Sequence, residues 1–230
     1  MTYLELVRRA AKESGTVPDS ALPSTLAGAT GRIGAIAGWV QQAWQDIQTH
    51  RMGWLWMQSE WQAQLVPAQQ AYTVAELGIV DLAQWLHFDV RDTPLTTLYD
   101  AGPEDEGRLH HIDWRSFYAR FQRGVPDAGR PTWYTVTPQR GLAFAAVPDA
   151  AYTVRGLYRR LPQVLVGDDD TPEMPVEYMD VIWRGALVSL AMNDEAAGQY
   201  PVWDMRYRAR MGDLERDHLP ALTIGAGALA

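Results

Sequence analysis

The residues of this chain best suited to chemistry are His110, His111 and Asp113. A histidine and carboxylate group can hold zinc, but zinc on a helix wants ligands at spacings such as i and i+4. Adjacent histidines on an extended chain point apart. The group therefore reads as a solvated or packed pair. Asp168, Asp169 and Asp170 lack the alternating ligands and distal glutamate of a calcium loop. They precede a helix expected from about residue 176, where carboxylates favour the positive end of the dipole. The stretch GATGRIG (28–34) has the glycines of a phosphate loop, yet no strand precedes it and no lysine follows. It reads as a helix start built from small residues. There is no G-x-S-x-G elbow, and the absence of cysteine removes thiolate nucleophiles, zinc–sulfur sites and disulfides. No catalytic residue, cofactor or metal is expected.

Composition narrows the class further. The chain has 230 residues, 47% of them hydrophobic, with ten Trp and ten Tyr, which indicates a globular and aromatic protein with a sizeable core. A formal charge of −8 argues against a dedicated nucleic-acid binder, because phosphate contacts need a basic face. Nearly all the basic residues are arginine, with Lys12 the sole lysine. The amphipathic, charged N-terminus lacks the apolar core of a signal peptide, and no apolar run approaches the ~20 residues of a membrane span. A soluble protein of a reducing compartment is expected.

Hydrophobic spacing sets out the elements. Thr2 and Glu5 form a T-x-x-E capping box ahead of a first helix with Tyr3, Val7, Ala10 and Ala11 on one face, ending near Ser14-Gly15. Residues 14–30 make a long connection rich in Pro, Ser, Gly and Thr, of the kind that is disordered or held by a partner. Thr30 caps a second helix over 31–50 whose stripe is Ile33, Ile36, Ala37, Val40, Trp44 and Ile47. Gly34 and Gly38 stand one turn apart, open to a second helix. Trp39 lies off the stripe, roughly 110° round the helix. Strand alternation starts at Leu55 and runs through Met57, Ser59, Trp61, Ala63 and Leu65, with this odd face inward. Trp61 is then core, whereas Trp54 and Trp56 fall on the other face and pad the helix-to-strand junction or meet a neighbour.

Further strands are expected at 85–91, 133–137, 142–147 and 152–158, the last three joined by short turns that imply antiparallel neighbours. Asp113 opens a short helix carrying Trp114, Phe117 and Phe121, and GPEDEG (102–107) is an acidic loop. A helix over 176–195 has two apolar faces, one with Tyr178, Val181, Ile182, Gly185, Ser189 and Met192, the other with Trp183, Leu187 and Leu190. A last helix, 200–217, turns Trp203, Tyr207 and Leu214 inward and Arg206 and Arg208 outward. The result is an α+β chain in which residues 1–53 and 172–218 form a helical bundle, 54–171 an inserted antiparallel β-rich domain, and 219–230 a mobile tail.

Four passages, MTYLELVRRAAKESG, GWVQQAWQDIQTHRMGWLWM, RPTWYTVTPQRGLAFAAVPDAAYTVRGLYRRLPQVL and DDDTPEMPVEYMDVIWRGAL, together resemble the head-to-tail adaptor proteins of tailed bacteriophages. The most distinctive features are the Trp-rich passage from helix to strand and the M-P-x-x-Y at Met174 to Tyr178. The resemblance implies a helical bundle carrying a β-rich domain. It also implies a homo-oligomeric ring, commonly of twelve copies, in the neck of the virion. Such a ring docks under the portal protein, presents a platform to a tail tube or nozzle protein, and passes double-stranded DNA without reading its sequence. Trp39, Trp54, Trp56, Arg206 and Arg208 become its interface candidates. Another neck protein of the same layout, a stopper or terminator, competes with this reading. So does a carbohydrate-binding module using the tryptophans as a platform, and a hydrolase at His110, His111 and Asp113.

Overall fold

The computed structural model describes residues 1–220 apart from Val90. Its architecture is α+β: helices stand at both ends of the chain, with sheets between them. The described residues form two compact units, 1–57 with 162–220, and 58–161.

The helical unit begins with α1 (Tyr3–Ser14). Thr2 Oγ1 accepts from Glu5 N and the Glu5 carboxylate accepts from Thr2 N, closing the capping box. The helix ends at Gly15, whose φ of 65° is a left-handed conformation that favours glycine. Helix α2 (Gly31–His50) buries Ile36, Ala37, Val40, Ala43, Trp44 and Ile47. Thr30 occupies its N-cap position, but its side chain makes no capping bond, so its contribution is backbone geometry alone. The long connection between the two helices is fixed within the chain. Val17 is buried, Arg8 Nε donates to Pro23 O at 2.7 Å, and Leu26 N donates to Asp168 Oδ1 at 2.8 Å.

Helix α4 (Asp180–Asn193) is buried on nearly every side, through Val181, Ile182, Trp183, Ala186, Leu187, Leu190 and Ala191. Met192 departs from the expected face and is 63% exposed. Helix α5 (Tyr200–His218) packs on α4 through Met211 and Leu214, with Trp203 and Tyr207 partly buried beside them. The close helix approach is made by Gly185 rather than by Gly34 and Gly38. A Cβ at Gly185 would stand 3.1 Å from Ala43 Cβ and 3.2 Å from the Tyr207 ring. A Cβ at Gly38 would meet nothing within 4 Å, and one at Gly34 would meet only the preceding turn at Ala29 O.

The β unit holds two sheets. In the first, β9 (Thr153–Arg160) is central: β1 (Gln58–Gln64) pairs along one side, and β4 (Thr97–Tyr99) and β3 (Leu82–Leu86) share the other. β5 (Gly107–Arg108) pairs with β4. The second sheet runs β2 (Ala71–Tyr72), β8 (Leu142–Phe144), β7 (Trp133–Val136), β6 (His110–His111), with β6 and β7 parallel. Helix α3 (Trp114–Phe121) lies against β7 and buries Phe117.

Several sequence expectations shift here. The strand after α2 begins at Gln58, because Leu55–Met57 is a 3-10 turn and Leu55 is exposed. From there the odd face is inward as expected: Trp61 and Leu65 are buried while Glu60, Gln62 and Gln64 are exposed. The strand expected at 85–91 lies instead at 82–86. Asp89 ends the extended run by accepting from Arg91 N and Thr93 N, both at 2.8 Å, which turns the chain back so that Phe88 bridges Pro94. Strands β8 and β9 are not neighbours. The turn Pro148-Asp149-Ala150 carries the chain from one sheet to the other, steadied by Tyr152 Oη donating to Asp149 Oδ1 at 2.6 Å. The segment 221–230, most of the expected mobile tail, lies outside the described residues.

Candidate functional site

The histidine group is assembled by two segments. β6 presents His110 and His111, and the chain leaving β3 presents His87. The rings of His87 and His111 stack at 3.7 Å between centroids, 16° from parallel, while His110 packs on Trp133 at 5.1 Å. The adjacent histidines thus serve different neighbours. His87 Nδ1 stands 2.9 Å from Tyr134 Oη, which is 2.8 Å from Thr96 Oγ1. Burial, and then the nearby His111, push the His87 pKa down to about 4, and burial pushes Tyr134 up to about 12. Asp113 instead caps α3, accepting from Ser116 N at 3.0 Å, and the Ser116 side chain and then its backbone N–H hold the Asp113 pKa below its usual value. Beside these residues a concavity of about 360 Å³ is lined by Trp85, His87, His111, Asp113, Trp114 and Arg140. Stacked imidazoles direct their nitrogens along the ring planes, not toward a shared point. Among the described residues no group of three His, Asp or Glu side chains is placed to hold a metal ion.

The aspartate run acts on a different helix from the one expected. Asp170 O accepts from Tyr3 N at 2.7 Å and Asp168 O from Leu4 N at 3.1 Å, so backbone carbonyls satisfy the first free N–H groups of α1. The carboxylates are used locally. Asp168 is held below its usual pKa by Thr25 and Leu26 N, and Asp170 by Val166 N and Gly167 N. Helix α4 begins only at Asp180, whose own carboxylate receives Arg184 and Arg210. The GATGRIG stretch enters α2 as a plain helix start.

The aromatic candidates divide by burial. Trp54 is completely buried and donates Nε1–H to Ile47 O at 2.8 Å, capping the last turn of α2. It stacks on Trp56 at 5.8 Å, and Trp56 stacks on the buried Trp44 at 5.4 Å. Trp54 is therefore an element of the core and offers no surface. Trp56 is half-buried at the edge of that stack. Trp39 is also half-buried, with the Arg32 guanidinium over its ring at 5.7 Å and Arg32 paired in turn with Asp194.

Arg206 and Arg208 are exposed on α5, Arg208 tied to Asp204 one turn earlier at 2.9 Å. Beside them the helix exposes Val202 (38%) and Met205 (64%). Sequence spacing assigned these two apolar residues to no face, because α5 carries apolar groups on both sides and its inner stripe absorbs the pattern. Their i, i+3 relation was the signal for a second, outward face. A second open surface of the same unit is a shallow groove of about 300 Å³ along α2, lined by Leu26, Ala29, Gly34, Gly38, Gln41 and Val166, the last 80% exposed.

None of the described helices is long and apolar enough to cross a membrane. A search of curated proteins gave no match. A family model described as SU10 adaptor protein matches residues 1–225, almost the whole chain. A match of this extent assigns the family: the chain belongs to the SU10 adaptor proteins, which are structural phage adaptors rather than enzymes.

Proposed function

We propose that this chain is one subunit of a ring in the neck of a tailed phage, docked under the portal and joined below to a tail tube or nozzle protein. The family match over residues 1–225 carries the reading. Two features of the molecule support it. A closed cyclic ring needs two different patches on each subunit that meet head to tail. The helical unit has two unlike open surfaces, the Val202, Met205, Arg206 and Arg208 face of α5 and the glycine-lined groove of α2. The formal charge of −8 per subunit also suits a conduit that must not retain DNA, since like charge repels phosphate.

Trp39, Trp56, Arg206 and Arg208 remain the proposed contact residues. Native mass spectrometry of the protein, alone and mixed with the portal ring of a phage that carries this chain, tests the ring. A single closed multiple of the subunit mass is expected once portal is present. Monomer under every condition, with intact portal rings in the same sample, would overturn it.

A further inference from the structure

A helix on the outside of a globular unit normally turns charged residues to water. The outer face of α2 does not. Residues 33–45 carry no charge, and the exposed ones among them are Ala35, Gly38 and Gln42, turned away from the buried Ile36, Val40 and Trp44. A Cβ at Gly38 would meet nothing within 4 Å. The groove of about 300 Å³ beside it is walled by Leu26, Ala29 and Val166, so the space is apolar as well as open.

Helix α5 presents the counterpart. Val202, Met205, Ala209 and Gly212 follow one another at alternating spacings of three and four, which keeps them on one side of the helix, away from the inward Met211 and Leu214. Val202 is 38% exposed and Met205 64%, Ala209 is exposed, and a Cβ at Gly212 would meet nothing within 4 Å. Two large apolar side chains followed by two small residues make a ridge that a shallow groove accepts, as helices do when they bind through apolar anchors one turn apart. Methionine suits such a groove, since its unbranched side chain fills irregular gaps.

Charge agrees with shape. Asp168 accepts from the backbone of Leu26 at 2.8 Å and Asp170 from that of Val166 at 2.6 Å, and both of these neighbours line the groove. Those carboxylates, with the exposed Asp169 between them, make the rim acidic, offset in part by Arg8 near Asp168. The α5 ridge is flanked by Arg206 and Arg208, both exposed.

We infer that the α5 ridge of one copy docks in the α2 groove of the next, with Met205 over Gly38 and Arg206 toward the aspartate rim. The inference rests on the ring reading above and names the two surfaces that close it. Each subunit holds one ridge and one groove, so the contact runs head to tail and a closed ring uses every one of them.

The chain has no cysteine, so introduced ones report on a single pair of positions. Full-length subunits with Gly38→Cys and others with Met205→Cys are mixed, assembled on the portal ring of a phage that carries this chain, and oxidised. A disulfide needs Cα atoms within about 7 Å of each other. Covalent dimers that join the two variants are expected, and neither variant alone should give them. In rings that have formed, cross-linking no greater than between Gly38→Cys and Val80→Cys, a control at an exposed residue of the β unit, would overturn the docking and leave the ring reading intact. Gly38→Cys joined to itself would set groove against groove and overturn it too. Failure of the unsubstituted chain to form rings would remove the ring reading, and the docking with it.

Two further sets of variants need no cross-link. Gly38→Leu fills the groove and should weaken assembly about tenfold. It should not lower the melting temperature of the free subunit, because the space is open and leucine is the better helix former. Arg206→Glu and Asp169→Arg should each weaken assembly, and the two together should restore most of it. Assembly of Gly38→Leu equal to that of the unsubstituted chain, or no recovery in the doubly substituted one, would contradict the docking.

Discussion

At the scale of single residues, burial separates two kinds of tryptophan and arginine that look alike in sequence. Trp54→Ala should cost about 3–5 kcal/mol in a urea titration, because it opens a cavity under the end of α2 and strands Ile47 O. Arg206→Glu should shift the same titration by no more than about 0.5 kcal/mol, since the side chain is exposed, yet weaken ring assembly. A Trp54→Ala subunit that folds normally but cannot assemble would reverse these roles. The sequence placed Trp61 correctly through strand alternation. For Trp54 it offered junction padding or contact with a neighbour, and the buried indole that closes the preceding helix is the first of these. The histidines gave a parallel lesson. His110 and His111 were visible as an adjacent pair, but the partner of His111 is His87, brought in by the turn at Asp89.

That stack carries a pH dependence. The folded pKa of His87 lies below its unfolded value of about 6.5, at about 4, so the unfolded chain binds the extra proton over that window. Stability is full above pH 6.5 and falls as the pH drops toward 4, by at most about 3 kcal/mol from this group. His87→Gln should flatten the profile between those limits in denaturation midpoints taken at half-unit steps. An unchanged slope would show that His87 is not the responsible group.

At the scale of elements, two glycines on facing helices should behave oppositely. Gly185→Leu drives a side chain into Ala43 and Tyr207 and should cost about 1–3 kcal/mol or more, because α2 and α5 must both give way. Gly38→Ala adds a methyl to open space within a helix and should stabilise the free subunit by about 0.5–1 kcal/mol. Urea titration of both variants checks the pair, and a destabilised Gly38→Ala would mean that the α2 groove is already filled.

Both helix ends and most helix stripes were legible, through the Thr2 capping box, Gly15, and the spacing from Ile36 to Ile47. Which glycine lets helices touch was not, since glycine spacing records a possible approach and only packing selects it. The α5 surface was half legible: Arg206 and Arg208 stood out by charge, while Val202 and Met205 were hidden by the apolar inner stripe. Short turns found the strands β7, β8 and β9 but not their partition into two sheets, because a three-residue turn can reverse a strand or hand it across to another layer.

At the scale of the whole molecule, the proposed ring requires self-association and the portal. Two unlike open surfaces on the helical unit, each with exposed apolar groups, are ordinary for a chain that works as one of many copies. They are liabilities for a solitary one, because exposed apolar groups invite irregular association. The most direct test of the proposed ring is co-sedimentation with an intact portal ring of a phage that carries this chain, with stoichiometry from quantified bands. One copy bound per portal subunit, saturating at that ratio, is the predicted result. No binding to portal rings shown to be intact in the same gradient would contradict it.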